Sequence, residues 1–210
     1  MLDPRRPASG RRGDPVHAAM GEIEAAMLRA RGFRVAIDEP YQHFQFAGRA
    51  DVIAWDEGAR ALLHLENRTR FPNLQEAAGA FNAKRAYLGA AIADRLRVRP
   101  WRSETHVMVV AWTAEAIRDL RRSEASFRSI SPAAPDGFEG WWRGEPPPVG
   151  RSAELVVLDP MPIGALGRRR RWVDLDRALA TPPRHKGYAT LADALGAADR
   201  NRQAGIGASR

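Results

Sequence analysis

The sequence contains no cysteine, so neither a disulfide nor a thiolate can take part in its structure or chemistry. Lysine is almost absent as well, because only Lys84 and Lys186 stand among 33 basic residues. No apolar run is long enough to cross a bilayer, and the charged N-terminus is not followed by the apolar stretch of a signal peptide. We therefore expect a cytoplasmic chain without a membrane partner.

Positive charge, by contrast, is in excess: the formal net charge is +8. Such a surplus favours a polyanionic partner, and we expect nucleic acid. The alternative is an incidental basic surface, since the scarcity of lysine beside arginine is typical of high-GC coding. That coding bias replaces lysine with arginine, but it does not by itself create an excess of basic over acidic residues.

A chain of 210 residues predicts one domain with enough apolar residues for a core. The composition distinguishes further parts of the chain, because a segment of Pro, Gly and Arg without hydrophobic periodicity, such as residues 1–14, indicates disorder. The expected parts are a disordered basic arm (1–14), a single domain (15–198) made of a core (16–122), a loop or lid (123–152) and a C-terminal strand with a basic extension (153–198), and a flexible tail (199–210).

Hydrophobic periodicity predicts an α/β fold with the core order α-β-β-β-α-β, followed by C-terminal additions. Such a core makes a mixed sheet flanked by helices. The predicted core elements are a helix over Val16–Arg31, a strand over Phe33–Asp38 that Pro40 ends, an extended run through Phe44 and Phe46 to Trp55, a strand over Ala61–Arg68, a helix over Leu74–Leu96 and a buried strand over His106–Trp112. The predicted additions are a helix over Thr113–Arg122, a strand over Glu154–Asp159 and a helix near Thr190–Ala198.

The second and third strands read as a hairpin that brings two acids together. A turn centred between Gly58 and Ala59 pairs residues whose numbers sum to 117, and this places Asp51 directly opposite Glu66. Like charges across a strand pair destabilise a sheet unless a cation lies between them, and Mg²⁺ accepts such carboxylates. The alternative is a solvated strand face on which nearby arginines neutralise the acids.

These residues resemble the PD-(D/E)xK superfamily, which has the restriction-endonuclease-like fold, over about half of the chain. The resemblance rests on Asp51 in the second strand, Glu66-Asn67-Arg68 in the third and Gln75 near the start of the long helix. The chain is particularly similar to small actinobacterial-type members. The resemblance implies a nuclease in which Asp51 and Glu66 hold Mg²⁺ or Mn²⁺, with the backbone carbonyl of Asn67 as a further ligand, and DNA rather than RNA as substrate.

The superfamily has lysine where Arg68 stands, and that lysine is thought to position the attacking water. An arginine supplies the charge but cannot act as a base. Three interpretations stay open: a working arginine variant, a lysine supplied from elsewhere, or an inactive scaffold that still binds. Lys84 borders the apolar stripe of the long helix and is the candidate replacement, whereas the alternative for Lys84 is a snorkelling surface side chain.

The first helix offers Glu22 and Glu24, and superfamily members often carry an acid there that binds metal or orients the helix. Glu24 borders the apolar stripe and Glu22 points away, so we choose Glu24; the alternative is a surface salt bridge. With this choice the candidate catalytic residues are Asp51, Glu66, Arg68, Lys84, Glu24 and Gln75.

A dense basic tract follows the last predicted strand, and guanidinium groups bind phosphates bidentately. The alternative for this tract is a solvated loop. The candidate nucleic-acid-binding residues are Arg168, Arg169, Arg170, Arg171, Arg184, Lys186 and Tyr188.

The leading hypothesis is thus a metal-dependent phosphodiesterase acting on DNA, and a homodimer is compatible with it. A second hypothesis is a catalytically degenerate nucleic-acid-binding or regulatory protein on a nuclease scaffold. A third is a protein-interaction module whose charge reflects codon usage.

Overall fold

The computed structural model describes residues 14–131, 137–167 and 169–207. These residues form an α/β fold in which one six-stranded mixed sheet lies between helices, and this confirms the predicted fold class. The elements are, in chain order, α1 (Pro15–Arg29), β1 (Arg34–His43), β2 (Phe46–Asp56), β3 (Ala61–Arg68), α2 (Leu74–Leu96), β4 (Ser103–Ala111), α3 (Ala114–Arg122), α4 (Glu124–Ile130), α5 (Gly137–Arg143), β5 (Gly150–Leu158), α6 (Ile163–Leu166), β6 (Trp172–Asp174), α7 (Leu175–Ala180) and α8 (Tyr188–Gly207).

The six strands lie in the sheet in chain order, from β1 at one edge to β6 at the other. β1, β2 and β3 form an antiparallel meander, and β6 is antiparallel to β5. β3, β4 and β5 are parallel, so their carboxyl ends lie next to one another on the same side of the sheet. α2 is the crossover that joins β3 to β4.

The two faces of the sheet are covered by different helices. On one face, Met20 and Leu28 of α1, Trp141 of α5 and Leu191 of α8 pack in one cluster. On the other face, α2 and α3 bury their apolar sides against the alternate residues of the strands, as Phe81 does. No helix in the described part of the chain is long and apolar enough to span a bilayer.

Asp14 sets the start of α1, because its carboxylate accepts hydrogen bonds from the backbone N–H groups of Val16 and His17 and Pro15 occupies the first helical position. Asn73 caps α2 in the same way by accepting from Glu76. Both helices begin close to the end of β3, because Thr69, the residue after β3, donates its hydroxyl to Asp14 and α2 begins a few residues further along the chain.

Two predictions about the strands and the lid were wrong. Pro40 does not end β1, because β1 is an edge strand and a proline there leaves no ladder bond unmade. The predicted loop over 123–152 contains α4 and α5 among its described residues, and Phe127, Phe138 and Trp141 from it are buried in the core.

The last helix is longer than the predicted helix near Thr190–Ala198. α8 runs from Tyr188 to Gly207, so much of the expected flexible tail is helical. Residues 1–13 of the expected basic arm, residues 208–210 of the tail and residues 132–136 of the expected loop lie outside the described residues.

Candidate active site at the carboxyl end of β3

The predicted register of the β2–β3 hairpin is confirmed. Val52 pairs with Leu65 and Ile53 with His64, and Asp51 and Glu66 are the next residues beyond the last pair. Both acids are buried, with 4% and 0% of their surface exposed. Buried carboxylates need hydrogen bonds or opposite charges, so the partners of each define what this strand end can do.

Glu66 is held by cationic and N–H groups on the side of α2. Its carboxylate forms an ion pair with Lys84, a second with Arg68 at 2.8 Å (Nη2 to Oε1), and lies 3.4 Å from His64 Nε2. Burial alone would raise the pKa of Glu66, but His64, Lys84 and Arg68 outweigh it and hold the pKa well below its usual value. Glu66 is therefore an anion at neutral pH.

Lys84 lies against the sheet, as its position beside the apolar stripe predicted, and only 5% of it is exposed. The snorkelling alternative for Lys84 is thereby excluded. The next residue, Arg85, is half-buried and donates to the backbone carbonyl of Ile130 at 2.8 Å. Lys84 rather than Arg85 thus delivers the positive charge of α2 to the end of β3.

Asp51 is held on the side of α1 through Asn67. The backbone N–H of Asn67 donates to Asp51 Oδ2 at 2.8 Å, and the side-chain amide of Asn67 donates to Glu24 Oε2 at 2.9 Å. The two acids and the amide thereby form one buried group that joins β2, β3 and α1.

Glu24 is the acid of α1 that reaches this group, as predicted, whereas Glu22 is exposed. Burial raises the pKa of Glu24 to about 8; the Asn67 hydrogen bond opposes this rise and the negative charge of Asp51 adds to it. Glu24 therefore carries its proton at neutral pH. Glu24 Oε1 and Asn67 Oδ1 are buried oxygens without a hydrogen-bond partner among the described residues.

Sequence analysis missed His17. Its Nε2 lies 3.3 Å from Asp51 Oδ2, although outside hydrogen-bond geometry, and the imidazole is largely buried. A signal existed: His17 and Glu24 are seven residues apart, about two helical turns, and so share one face of α1.

A cleft of about 300 Å³ opens beside this site, and its wall includes His17, Asn67 and Arg68. Asp14 closes one end, where it accepts hydrogen bonds from Thr69 Oγ1 at 3.0 Å and from Tyr188 Oη at 2.9 Å. Asn67 and Arg68 are the residues of the strand end that line the cleft, whereas Asp51 and Glu66 do not line it. Gln75 is exposed on the first turn of α2 and is not among the residues that line the cleft.

The predicted basic tract divides into two classes of residue. Arg169, Arg170 and Lys186 are exposed. Arg171 donates to the backbone carbonyls of Asp159 and Met161, at 3.1 and 2.8 Å. Arg168 lies outside the described residues.

Arg184 makes structural contacts in this region, and its role in binding nucleic acid stays a prediction. Its guanidinium pairs with the buried Asp159 at 3.0 Å and lies over the Trp112 ring, 4.2 Å from the centroid. Tyr188 packs beneath Arg70 and binds Asp14, which places it at the cleft rather than in the tract.

The oxygen atoms of Asp51, Glu24, Asn67 and Glu66 are hard donors of the kind that Mg²⁺ and Mn²⁺ prefer. The buried Asn67 Oδ1, an acceptor without a hydrogen-bond partner among the described residues, fits such a cation. In the described ranges, however, no three His, Asp or Glu side chains converge as a ready metal site.

No protein-family model matches the chain, and no curated protein matches it either. Membership of the PD-(D/E)xK superfamily therefore stays a prediction from the residues themselves.

We predict that Glu24→Gln removes a pH dependence of stability. The pKa of Glu24 rises from 4.5 in the unfolded chain to about 8 in the folded one. The folded state therefore binds the proton more tightly, so the contribution of this proton to the free energy of unfolding is complete below pH 4.5 and is lost as the pH rises towards 8. The loss reaches up to ~1.4 kcal/mol per pH unit, whereas glutamine keeps the acceptor for Asn67 without titrating. Urea unfolding at pH 5 and pH 8 measures the difference.

Glu22→Gln, on the exposed side of the same helix, is the matched control and should leave the pH dependence as it is in the native chain. An unchanged pH slope in Glu24→Gln would contradict the assignment of a buried, protonated Glu24.

We also predict different effects within the basic tract. Arg184→Ala leaves the buried Asp159 without its guanidinium partner and should lower the free energy of unfolding by about 3 kcal/mol. Lys186→Ala, an exposed control, should stay within about 0.5 kcal/mol of the native chain. Equal stability of the two variants in chemical denaturation would show that Arg184 is a surface residue in solution.

Proposed function

We propose that the chain is a Mg²⁺- or Mn²⁺-dependent phosphodiesterase that acts on DNA, and that it is a member of the PD-(D/E)xK superfamily. The observation that carries the proposal is the buried ion pair between Lys84 and Glu66 at the strand end where Asp51 also lies. This ion pair supports the interpretation in which Lys84 of the long helix supplies the lysine that the superfamily has at the position of Arg68.

Asp51 and Glu66 would hold the cation, with the backbone carbonyl of Asn67 as a third ligand. A bound cation of this kind lowers the pKa of a coordinated water and neutralises charge on a phosphate oxygen. Asn67 fixes the carboxylate of Asp51 through its backbone N–H and fixes Glu24 through its side chain, so it connects the ligand to α1.

Lys84 and Arg68 would stabilise negative charge on the phosphate group of the substrate. Both lie against Glu66, and with the Glu66 carboxylate committed to a cation their N–H groups would be available to a phosphate oxygen or to the attacking water. Arg68 stays protonated and can only donate, whereas Lys84 is buried in a position from which it can donate or transfer a proton.

The DNA backbone would lie along the edge where β3, β4 and β5 end. Exposed basic residues flank this edge, and the net charge of +8 favours a polyanion there. Arg70, Arg169, Arg170 and Lys186 are the exposed bases that we assign to phosphate contacts. A cytoplasmic location, as expected for a cysteine-free chain, and a homodimer are compatible with this function.

A second candidate function is nucleic-acid binding without catalysis on a degenerate nuclease scaffold. It is favoured by a specific observation: the oxygens of Glu66 are already neutralised by Lys84 and Arg68. A carboxylate that is satisfied in this way has less need of a cation, and Arg68 replaces the residue that the superfamily uses in catalysis.

We predict that Lys84→Ala abolishes Mn²⁺-dependent cleavage while Arg68→Lys preserves or raises it. Alanine removes the buried ammonium and leaves Glu66 with a weaker cationic environment, whereas lysine at position 68 keeps the charge on the same strand position. Cleavage of linear, nicked, branched and single-stranded DNA, with Mn²⁺ and with EDTA, measures the effect. Arg85→Ala, which removes the neighbouring base of α2, is the matched control and should cleave like the native chain.

We further predict that Asp51→Asn and Glu66→Gln each abolish both cleavage and Mn²⁺ binding measured by calorimetry, because an amide lacks the charge that holds the cation. If the native chain binds DNA tightly but neither binds Mn²⁺ nor cleaves any of these substrates, the phosphodiesterase proposal is wrong and the binding function stands.

A further inference from the structure

The tip of the β1–β2 hairpin, His43 to Phe46, projects past the candidate site. β2 pairs with β3 only from Val52 onwards, so residues 46–51 of β2 have a strand neighbour on the β1 side alone. The hairpin thus continues as a two-stranded arm beyond the last β2–β3 pair, with Asp51 at its base and the tip at its far end.

Phe44 at this tip combines two unfavourable features. Its ring is 85% exposed, the highest value among the exposed large hydrophobic residues in the described ranges. Its backbone has a φ of 51°, a conformation that two-residue hairpin loops normally give to glycine, asparagine or aspartate. A bulky aromatic side chain in such a position is unusual, and an observed strain of this kind points to a role in binding.

The tip is also part of a group of stacked rings. Tyr87 of α2 stacks on Phe46 with the centroids 4.2 Å apart and 16° between the planes, and on His43 at 5.5 Å and 22°. The Phe44 ring meets His43 edge-on at 4.6 Å. These contacts hold the base of the tip in place and leave the Phe44 ring free to contact another flat group.

The stacked rings lie close to the candidate site. Tyr87 follows Lys84 by three residues in α2, a rise of ~4.5 Å along the helix axis. Near the base of the same arm, Tyr41 is close enough to Glu66 that the carboxylate adds to the rise in the Tyr41 pKa that burial causes. A nucleic-acid strand with a phosphate at Lys84 would therefore bring a neighbouring base to the tip.

We propose that the hairpin tip is a base-stacking platform for an unpaired nucleotide, so that the substrate is single-stranded or locally unpaired DNA. This inference rests on the proposed function and names its substrate class. Bases expose their flat faces only when they are unpaired or unstacked, and aromatic side chains bind those faces regardless of sequence. A fully paired duplex has no free face to offer at this point.

The test is the affinity of Phe44→Ala for a labelled single strand and for a duplex of equal length, measured by fluorescence anisotropy in EDTA so that no cleavage occurs. We expect a loss of at least about fivefold for the single strand and no loss for the duplex. The dependence on salt concentration should not change, because the ring carries no charge. Phe44→Tyr, which keeps a flat ring, should restore the affinity to within about twofold.

Ile163→Ala is the matched control, since Ile163 is 72% exposed and lies on α6, far along the chain from the arm. It should bind both DNA forms like the native chain. Native single-strand affinity in Phe44→Ala, or an equal loss for both DNA forms, would overturn the inference. So would a change from dimer to monomer in sedimentation with unchanged single-strand binding, because the tip would then be a contact between two copies of the chain.

These outcomes are separate from those of the proposed function. Calorimetry with Mn²⁺ in the absence of DNA reports on Asp51 and Glu66 and does not involve the hairpin tip, whereas anisotropy in EDTA reports on DNA binding without the cation. The platform can therefore fail while the cation site stands, and the cation site can fail while single-strand binding through Phe44 is still observed.

Discussion

Three carboxylates at the end of one strand pair, all nearly inaccessible to water, are the constraint on which the rest of this structure depends. Asp51, Glu66 and Glu24 cannot all be charged there without compensation, because burial penalises each anion and their charges repel. The chain answers in two ways. Glu66 is ionised because Lys84 and Arg68 form ion pairs with it. Glu24 keeps its proton and accepts a hydrogen bond from the side chain of Asn67, whose backbone N–H donates to Asp51.

The topology of the sheet supplies these compensating groups. An antiparallel hairpin places Asp51 and Glu66 on adjacent strands, directly beyond the Val52–Leu65 pair, and the parallel step from β3 to β4 requires a long crossover helix over the sheet. That crossover, α2, carries Lys84 to Glu66, while α1 carries Glu24 and His17 to the other side of the strand end. The acids and their partners therefore meet because of strand order and not because they are close in the chain.

Features that depend only on helix or strand periodicity and on the position of a turn could be predicted from the sequence. The hairpin register, the inward lean of Lys84 and the choice of Glu24 over Glu22 all follow from counting residues along a strand or a helix. Features that depend on distant partners could not be derived. Arg184 belongs to the basic tract by composition but binds a carboxylate that follows β5, and the short helices after Ser123 are held by core contacts that local periodicity does not reveal.

We propose that this strand end holds a divalent cation between Asp51 and Glu66. A crystal structure of the chain with Mn²⁺, with the ion located by its anomalous scattering, tests it most directly. The account predicts one peak within coordination distance of both carboxylates, and a Glu66 side chain that has turned away from Lys84 to reach it. An anomalous map without a peak at this position, with the ion pair between Lys84 and Glu66 still closed at saturating Mn²⁺, would contradict the account.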